Sequence, residues 1–204
     1  MKTALYSKLY TYDFKKLFEE KGYNFFTKGY YNLNIIGIRS NQNNKVTNKY
    51  DDYLVVDYNT QTSHKRQIYS ITTDPGLYYM TNLLNPKGTA ILVPGQYKGA
   101  YAVGLHKGKY KALCQVKKVK VYRDGNKDKI YNLKPETIDE GMFGINIHRS
   151  HEILTTENVN KYSAGCQVFQ DPKDFVAFMK LVEKSKDIYG NSFTYTLLDE
   201  KDLV

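Results

Sequence analysis

The chain has 204 residues, 41% hydrophobic and 25% charged, with a formal net charge of +9. That balance is ordinary for one compact globular domain and excludes a low-complexity or disordered chain. No run approaches the ~20 apolar residues of a membrane-spanning helix, and two cysteines make no disulfide framework.

The first twenty residues, "MKTALYSKLYTYDFKKLFEE", carry one early lysine and no apolar run for a signal peptide. The expectation is a protein made in the cytoplasm, whose action outside the cell would require release or carriage. Leu5, Leu9, Tyr12 and Leu17 recur at helical spacing. They predict one amphipathic helix over Ala4–Lys21, ended by Gly22, within an N-terminal helical extension of residues 1–28.

From residue 29 to 204 the texture changes. "YNLNIIGIR", "DYLVVDY", "RQIYSITT", "GTAILV", "AYAVGL", "YKALCQVKKVKVYR", "GINIH" and "SFTYTLL" are short and rich in β-branched and aromatic residues. Turn formers such as "SNQNN", "DPG", "NPKG" and "RDGN" separate them. The expected fold is mainly β, a sandwich or partial barrel. One helix interrupts it, with Asp171 as N-cap, Pro172 at the first helical position and Gly190 as the stop. Phe175, Phe178, Met179 and Val182 form its buried stripe.

The chemistry concentrates between two of these segments. His148 ends "GINIH", whose alternation sets Asn146 and His148 on one face and Ile145 and Ile147 on the other. Cys166 follows Ser163-Ala164-Gly165. A thiol attacks only as thiolate, and an imidazole beside it can take the proton. Consecutive backbone N–H groups of the Ala164-Gly165-Cys166 turn could hold an oxyanion. The bland alternative is a small buried thiol near an ordinary histidine.

Elsewhere the bland readings lead. Cys114, alternating with Ala112 and Val116, reads as a packed core thiol. His151 reads as a solvent-exposed loop residue. His106, in "GLHKGKY", reads either as an exposed turn histidine or as a cleft residue meeting substrate carboxylates. "DGNKDKI" from Asp124 spaces oxygens like the start of a calcium loop, but lacks the loop's glycine and closing acid, so an Asx-capped turn is preferred. No Cys-x-x-Cys or His-Glu-x-x-His occurs, and neither metal nor cofactor is expected. The 30 Lys and Arg are scattered, with no arginine-rich arm. A solvated basic face is expected, and no nucleic-acid partner.

The pattern His148-x14-Ser163-x-Gly165-Cys166 resembles the signature of the L,D-transpeptidase catalytic domain, the YkuD-like family. "TTDPG", "GTAILVPGQY", "GLHKGKYKAL", "GINIHR" and "SAGCQVF" also look like a phage-associated branch of that fold, over roughly Asn32 to Leu198. The resemblance implies Cys166 as nucleophile, His148 as general base, Gly165 at the oxyanion and Ser163 ordering the loop. His106, Gln167 and Arg149 are the expected substrate contacts. The family's second histidine is Ala164 here, and its polar residue two beyond the cysteine is Val168. The function implied is cysteine-dependent acyl transfer, as peptidase or transpeptidase, on peptidoglycan stem peptides, with virion association as one route to the wall. A non-catalytic wall-binding or virion structural module is the alternative, and a cysteine protease or amidase acting on proteins a third reading.

Overall fold

The computed structural model describes residues 2–40 and 44–203. Residues 41–43, in the expected "SNQNN" turn, lie outside them. Helices α1 (Lys2–Thr11) and α2 (Phe14–Glu20) precede β1 (Asn34–Arg39), β2 (Asp52–Asn59) and β3 (His64–Thr72). A short α3 (Leu77–Thr81) leads to β4 (Thr89–Leu92), β5 (Gly95–His106), β6 (Tyr110–Gln115) and β7 (Val119–Asp124). Then come β8 (Ile138–Gly141), β9 (Ile147–Arg149), β10 (Gln167–Phe169), α4 (Pro172–Tyr189) and β11 (Phe193–Asp199).

The body is mainly β, as its composition predicts, but it is neither a sandwich nor open. Eight strands close into a barrel in the order β1-β11-β5-β6-β9-β10-β3-β2, and β4, β7 and β8 form a separate three-stranded sheet. β1 pairs with β11 in parallel, and β9 with β10 in parallel.

Alternate residues of β1 and β2 feed two different cores. Ile35, Leu54 and Val56 join the main cluster with Tyr101, Leu113, Ile147, Phe169 and Tyr195. Ile36, Ile38, Tyr53 and Val55 face the other way and pack against Leu5, Leu9, Phe14, Leu17 and Phe18. The N-terminal segment therefore covers an outer face of the barrel. Each of those large side chains gains roughly 1.5–3 kcal/mol from burial, which holds the helices down.

The predicted single N-terminal helix is broken in two at Tyr12-Asp13. Asp13 caps α2, its carboxylate accepting from the Lys16 N–H at 3.0 Å. The Arg66 guanidinium, ion-paired to buried Asp57, donates to the carbonyls of Leu9, Tyr10 and Tyr12. These are carbonyls that a continuing helix would have used itself.

α4 has the predicted limits. Asp171 accepts from the Lys173 N–H at 2.7 Å, Pro172 opens the helix, and Gly190 closes it with φ of 87°. Phe175, Phe178, Met179 and Val182 enter the main core. β10 intervenes between Cys166 and α4, so the helix dipole does not begin at the thiol.

Candidate active site

β9 and β10 set the two expected chemical groups side by side. Their parallel register pairs His148 with Val168 and Ile147 with Gln167. Side chains alternate across a strand, so the positions of Cys166 and Asn146, one step earlier, share the face that carries His148. The Gln167 N–H donates to the Asn146 carbonyl at 2.9 Å, and the Asn146 N–H donates to Cys166 Sγ at 3.4 Å. The Cys166 thiol itself donates to the Gly144 carbonyl at 3.3 Å. Among the described residues the thiol makes no direct hydrogen bond to His148.

The Cys166 loop is held from behind. Ser163 is fully buried; its hydroxyl donates to the Cys166 carbonyl at 2.8 Å and accepts from the Gly165 N–H at 3.1 Å. Gly165 has φ of 121°, and a Cβ there would stand 2.3 Å from the Ala90 carbonyl oxygen. Only glycine fits. This corrects one expectation: the Gly165 N–H is committed to the Ser163 hydroxyl, which leaves the Cys166 and Ala164 N–H groups as the remaining backbone donors of the turn.

A second correction concerns Gln167. Parity turns it away from Cys166 and into the barrel, where it is fully buried. Its amide accepts from the Tyr195 hydroxyl at 2.8 Å and donates to the Gly165 carbonyl at 3.3 Å. It supports the loop from within and touches no open surface.

His148 is 5% exposed, and its Nδ1 lies 2.8 Å from the Arg149 carbonyl. A carbonyl only accepts, so Nδ1 carries the proton and Nε2 the lone pair. Burial, then His106 and Lys107, push the His148 pKa down to about 3. Burial lifts the Cys166 thiol to about 11, against the pull of the Asn146 N–H and of Lys107. The resting pair is therefore thiol and neutral imidazole, not thiolate and imidazolium. A base with a free lone pair can still take the proton as the sulfur attacks.

His106 is drawn to the same place. It ends β5, where it pairs with Tyr110 of β6. The His106 ring stacks on His148 with centroids 4.0 Å apart and planes 22° apart. Its Nδ1 is 3.1 Å from Asn146 Nδ2. Burial and Lys107 push its pKa down to about 4. Tyr110 adds a hydroxyl 3.4 Å from His148 Nδ1 and 3.3 Å from the Arg149 carbonyl. The Arg149 guanidinium lies over the Tyr110 ring at 4.4 Å and reaches Glu152 at 3.4 Å.

Two open clefts are lined by neighbours of these groups, though not by Cys166, His148 or His106 themselves. One of about 300 Å³ is lined by Ala164, Ala90, Thr89, Phe143 and Met142. The other, of about 650 Å³, is lined by Tyr110, Arg149, Phe175, Met179 and Lys180. Ser163, Gly165, His106 and His148 are thus tied to Cys166 directly or through Asn146, Arg149 lies on Tyr110, and Gln167 turns inward.

Sequence reasoning missed Gln115. Its side-chain amide accepts from the Phe143 and Ile145 N–H groups and donates to the Gly141 carbonyl, guiding the chain into β9 where pairing with β6 is only one residue long. A glutamine at the inward parity of "ALCQ" was the available signal.

Outside the site, Cys114 is half-buried rather than sealed in the core. Leu113 pairs with Ile147, so Cys114 falls beside Asn146. His151, half-buried, accepts from the N–H groups of Ile153 and Leu154. In the Asp124 loop, Asp128 accepts from Asn126 Nδ2 and the Ile130 N–H, as an Asx turn does. Among the described residues no group of three or more His, Cys, Asp or Glu is placed to hold a metal ion. No helix among them is long and apolar enough to cross a membrane. No family model, curated protein or solved structure matches this chain.

Proposed function

We propose that this protein is a cysteine acyltransferase or peptidase of the L,D-transpeptidase type, acting on peptidoglycan stem peptides. The observation that carries the reading is the committed His148 tautomer. Nδ1–H is tied to the Arg149 carbonyl at 2.8 Å, and the Nε2 lone pair is left for a proton on the face shared with Cys166. Cys166 Sγ attacks a peptide carbonyl carbon as its proton passes to His148 Nε2. The tetrahedral intermediate collapses with loss of the amine, which takes that proton and leaves a thioester. An amine acceptor then makes the enzyme a transpeptidase, and water makes it a peptidase. The clefts at Ala164 on one side and at Tyr110 and Arg149 on the other give a chain-like substrate surface to lie on in this reading.

The polar groups that the family resemblance leads one to expect beside the nucleophile are Ala164 and Val168, and Val168 is fully buried. Acceptor capture is therefore weak in this reading, and hydrolysis competes with cross-linking. In this reading the protein reaches the wall by release at lysis or as part of a virion.

One observation favours a different reading. The thiol is protonated at rest and its proton is bound to the Gly144 carbonyl, as suits an inert cysteine in a wall-binding or virion structural module. Purified muropeptides with and without an added amine acceptor, followed by mass analysis of products and protein, separate the two. The enzyme gives a Cys166 thioester and processed peptides that vanish in Cys166→Ala. Binding to sacculi without any product or adduct would establish the module instead.

A further inference from the structure

The two stacked histidines are in opposite tautomers. The Gln115 backbone N–H donates to Asn146 Oδ1 at 2.9 Å. A backbone N–H cannot accept, so this bond fixes which end of the Asn146 amide is oxygen. The other end, Nδ2, is then a donor and points at His106 Nδ1 at 3.1 Å. His106 Nδ1 must accept, and its proton resides on Nε2. On His148 the Arg149 carbonyl imposes the reverse, Nδ1–H with an open Nε2. Neither Nε2 has a protein partner among the described residues, and neither belongs to the buried polar atoms sealed from solvent. Two nearly parallel rings with centroids 4.0 Å apart thus carry one free acceptor and one free donor.

The Cys166 loop is short of one of its expected donors. An acyl transfer site needs hydrogen bonds to the oxygen of the tetrahedral intermediate. The Gly165 N–H, which would share that role with the Cys166 N–H, is held by Ser163 Oγ at 3.1 Å. His106 is bound through its Nδ1 to the side chain of Asn146, the same residue whose backbone N–H touches Cys166 Sγ at 3.4 Å.

We infer that His106 is a catalytic hydrogen-bond donor, its Nε2–H and the Cys166 N–H together forming the oxyanion hole. The inference rests on the acyl-transfer reading of Cys166. As the Sγ–C bond forms, the thiol proton goes to His148 Nε2, and the carbonyl π pair becomes a lone pair on oxygen facing the two donors. When the C=O bond reforms, the bond to the leaving group breaks. His106 keeps its proton throughout, so its low basicity is an asset: a neutral imidazole donates without exchanging charge. Lys107, next in sequence, opposes protonation of both rings.

The test uses two reagents on the whole chain. Iodoacetamide alkylates a thiol at a saturated carbon and builds no oxyanion. 4-Nitrophenyl acetate acylates through one. Both adducts are read by mass on the Cys166 peptide, with thermal melts to confirm folding. His106→Ala should slow acylation by about 10²–10³-fold while alkylation stays within about 3-fold. His106→Gln, which keeps a side-chain N–H donor, should restore acylation to within about tenfold of wild type. Equal losses in both reactions would mean that His106 acts only through the thiol, and would overturn the inference. So would unchanged acylation in His106→Ala, no recovery in His106→Gln, or a wild-type Cys166 that the ester does not acylate. Ester acylation with the expected variant pattern, but no product from muropeptides, would keep His106 in its role and sink the peptidoglycan reading alone.

Discussion

Cys166 should react slowly at neutral pH and without a plateau. Its thiol stands at about 11 because burial disfavours the anion, and the Asn146 N–H and Lys107 recover only part of that cost. At pH 7 the thiolate is then about one part in 10⁴, against about 3% for a free cysteine of pKa 8.5. Alkylation should be depressed roughly 300-fold from this source alone. Iodoacetamide labelling between pH 6 and 10.5, quantified separately on the Cys114 and Cys166 peptides, tests the number. The Cys166 rate should climb about tenfold per pH unit up to pH 10. Lys107→Ala removes a nearby positive charge and should move the whole profile to higher pH. A flat, fast profile from pH 6 upward would reveal a preformed thiolate–imidazolium pair. That result would refute the neutral-pair argument and with it the general-base role of His148.

Three further outcomes are expected. Gly165→Ala forces a Cβ against the Ala90 carbonyl in a left-handed conformation and should cost about 2–3 kcal/mol in a urea melt. Tyr195→Phe strips the buried Gln167 oxygen of its donor; a loss of about 1–3 kcal/mol should appear in thermal denaturation. His148 has a folded pKa of about 3, below its unfolded value near 6.5. The unfolded chain therefore binds more protons between those limits, and the histidine's contribution, complete above pH 6.5, is lost as pH falls toward 3. Urea midpoints at pH 7.5 and 4.5 should fall further in wild type than in His148→Gln; equal falls would contradict the assignment.

Local signals in the sequence carried the elements whose ends are made by their own residues. Asp171, Pro172 and Gly190 bound α4 by capping chemistry, and its core stripe is the predicted one. The alternation around Ile147 gave the correct face for His148. Where a distant group decides, the sequence was silent. Arg66 stops α1 from 54 to 57 residues away along the chain. β10 is only three residues long and follows a turn, too short to show a period, so the inward turn of Gln167 was invisible. His106 reaches Asn146 across 40 residues, through two strand registers that no motif encodes. Barrel closure likewise depends on pairing strands from the two ends of the body.

That closure has a consequence for synthesis. The seam between β1 and β11 joins Ile35 to Tyr195, so β11 must leave the ribosome before the barrel can shut. Contacts this distant in sequence are slow to form. Until they do, Gln167 lacks the Tyr195 hydroxyl, and the loop bearing Cys166 is less firmly held on its inner side. A nascent chain stalled short of residue 193 should present Cys166 as an ordinary, solvated thiol, more open to oxidation than in the finished protein. The last strand to emerge is thus the one that brings the reactive sulfur under control.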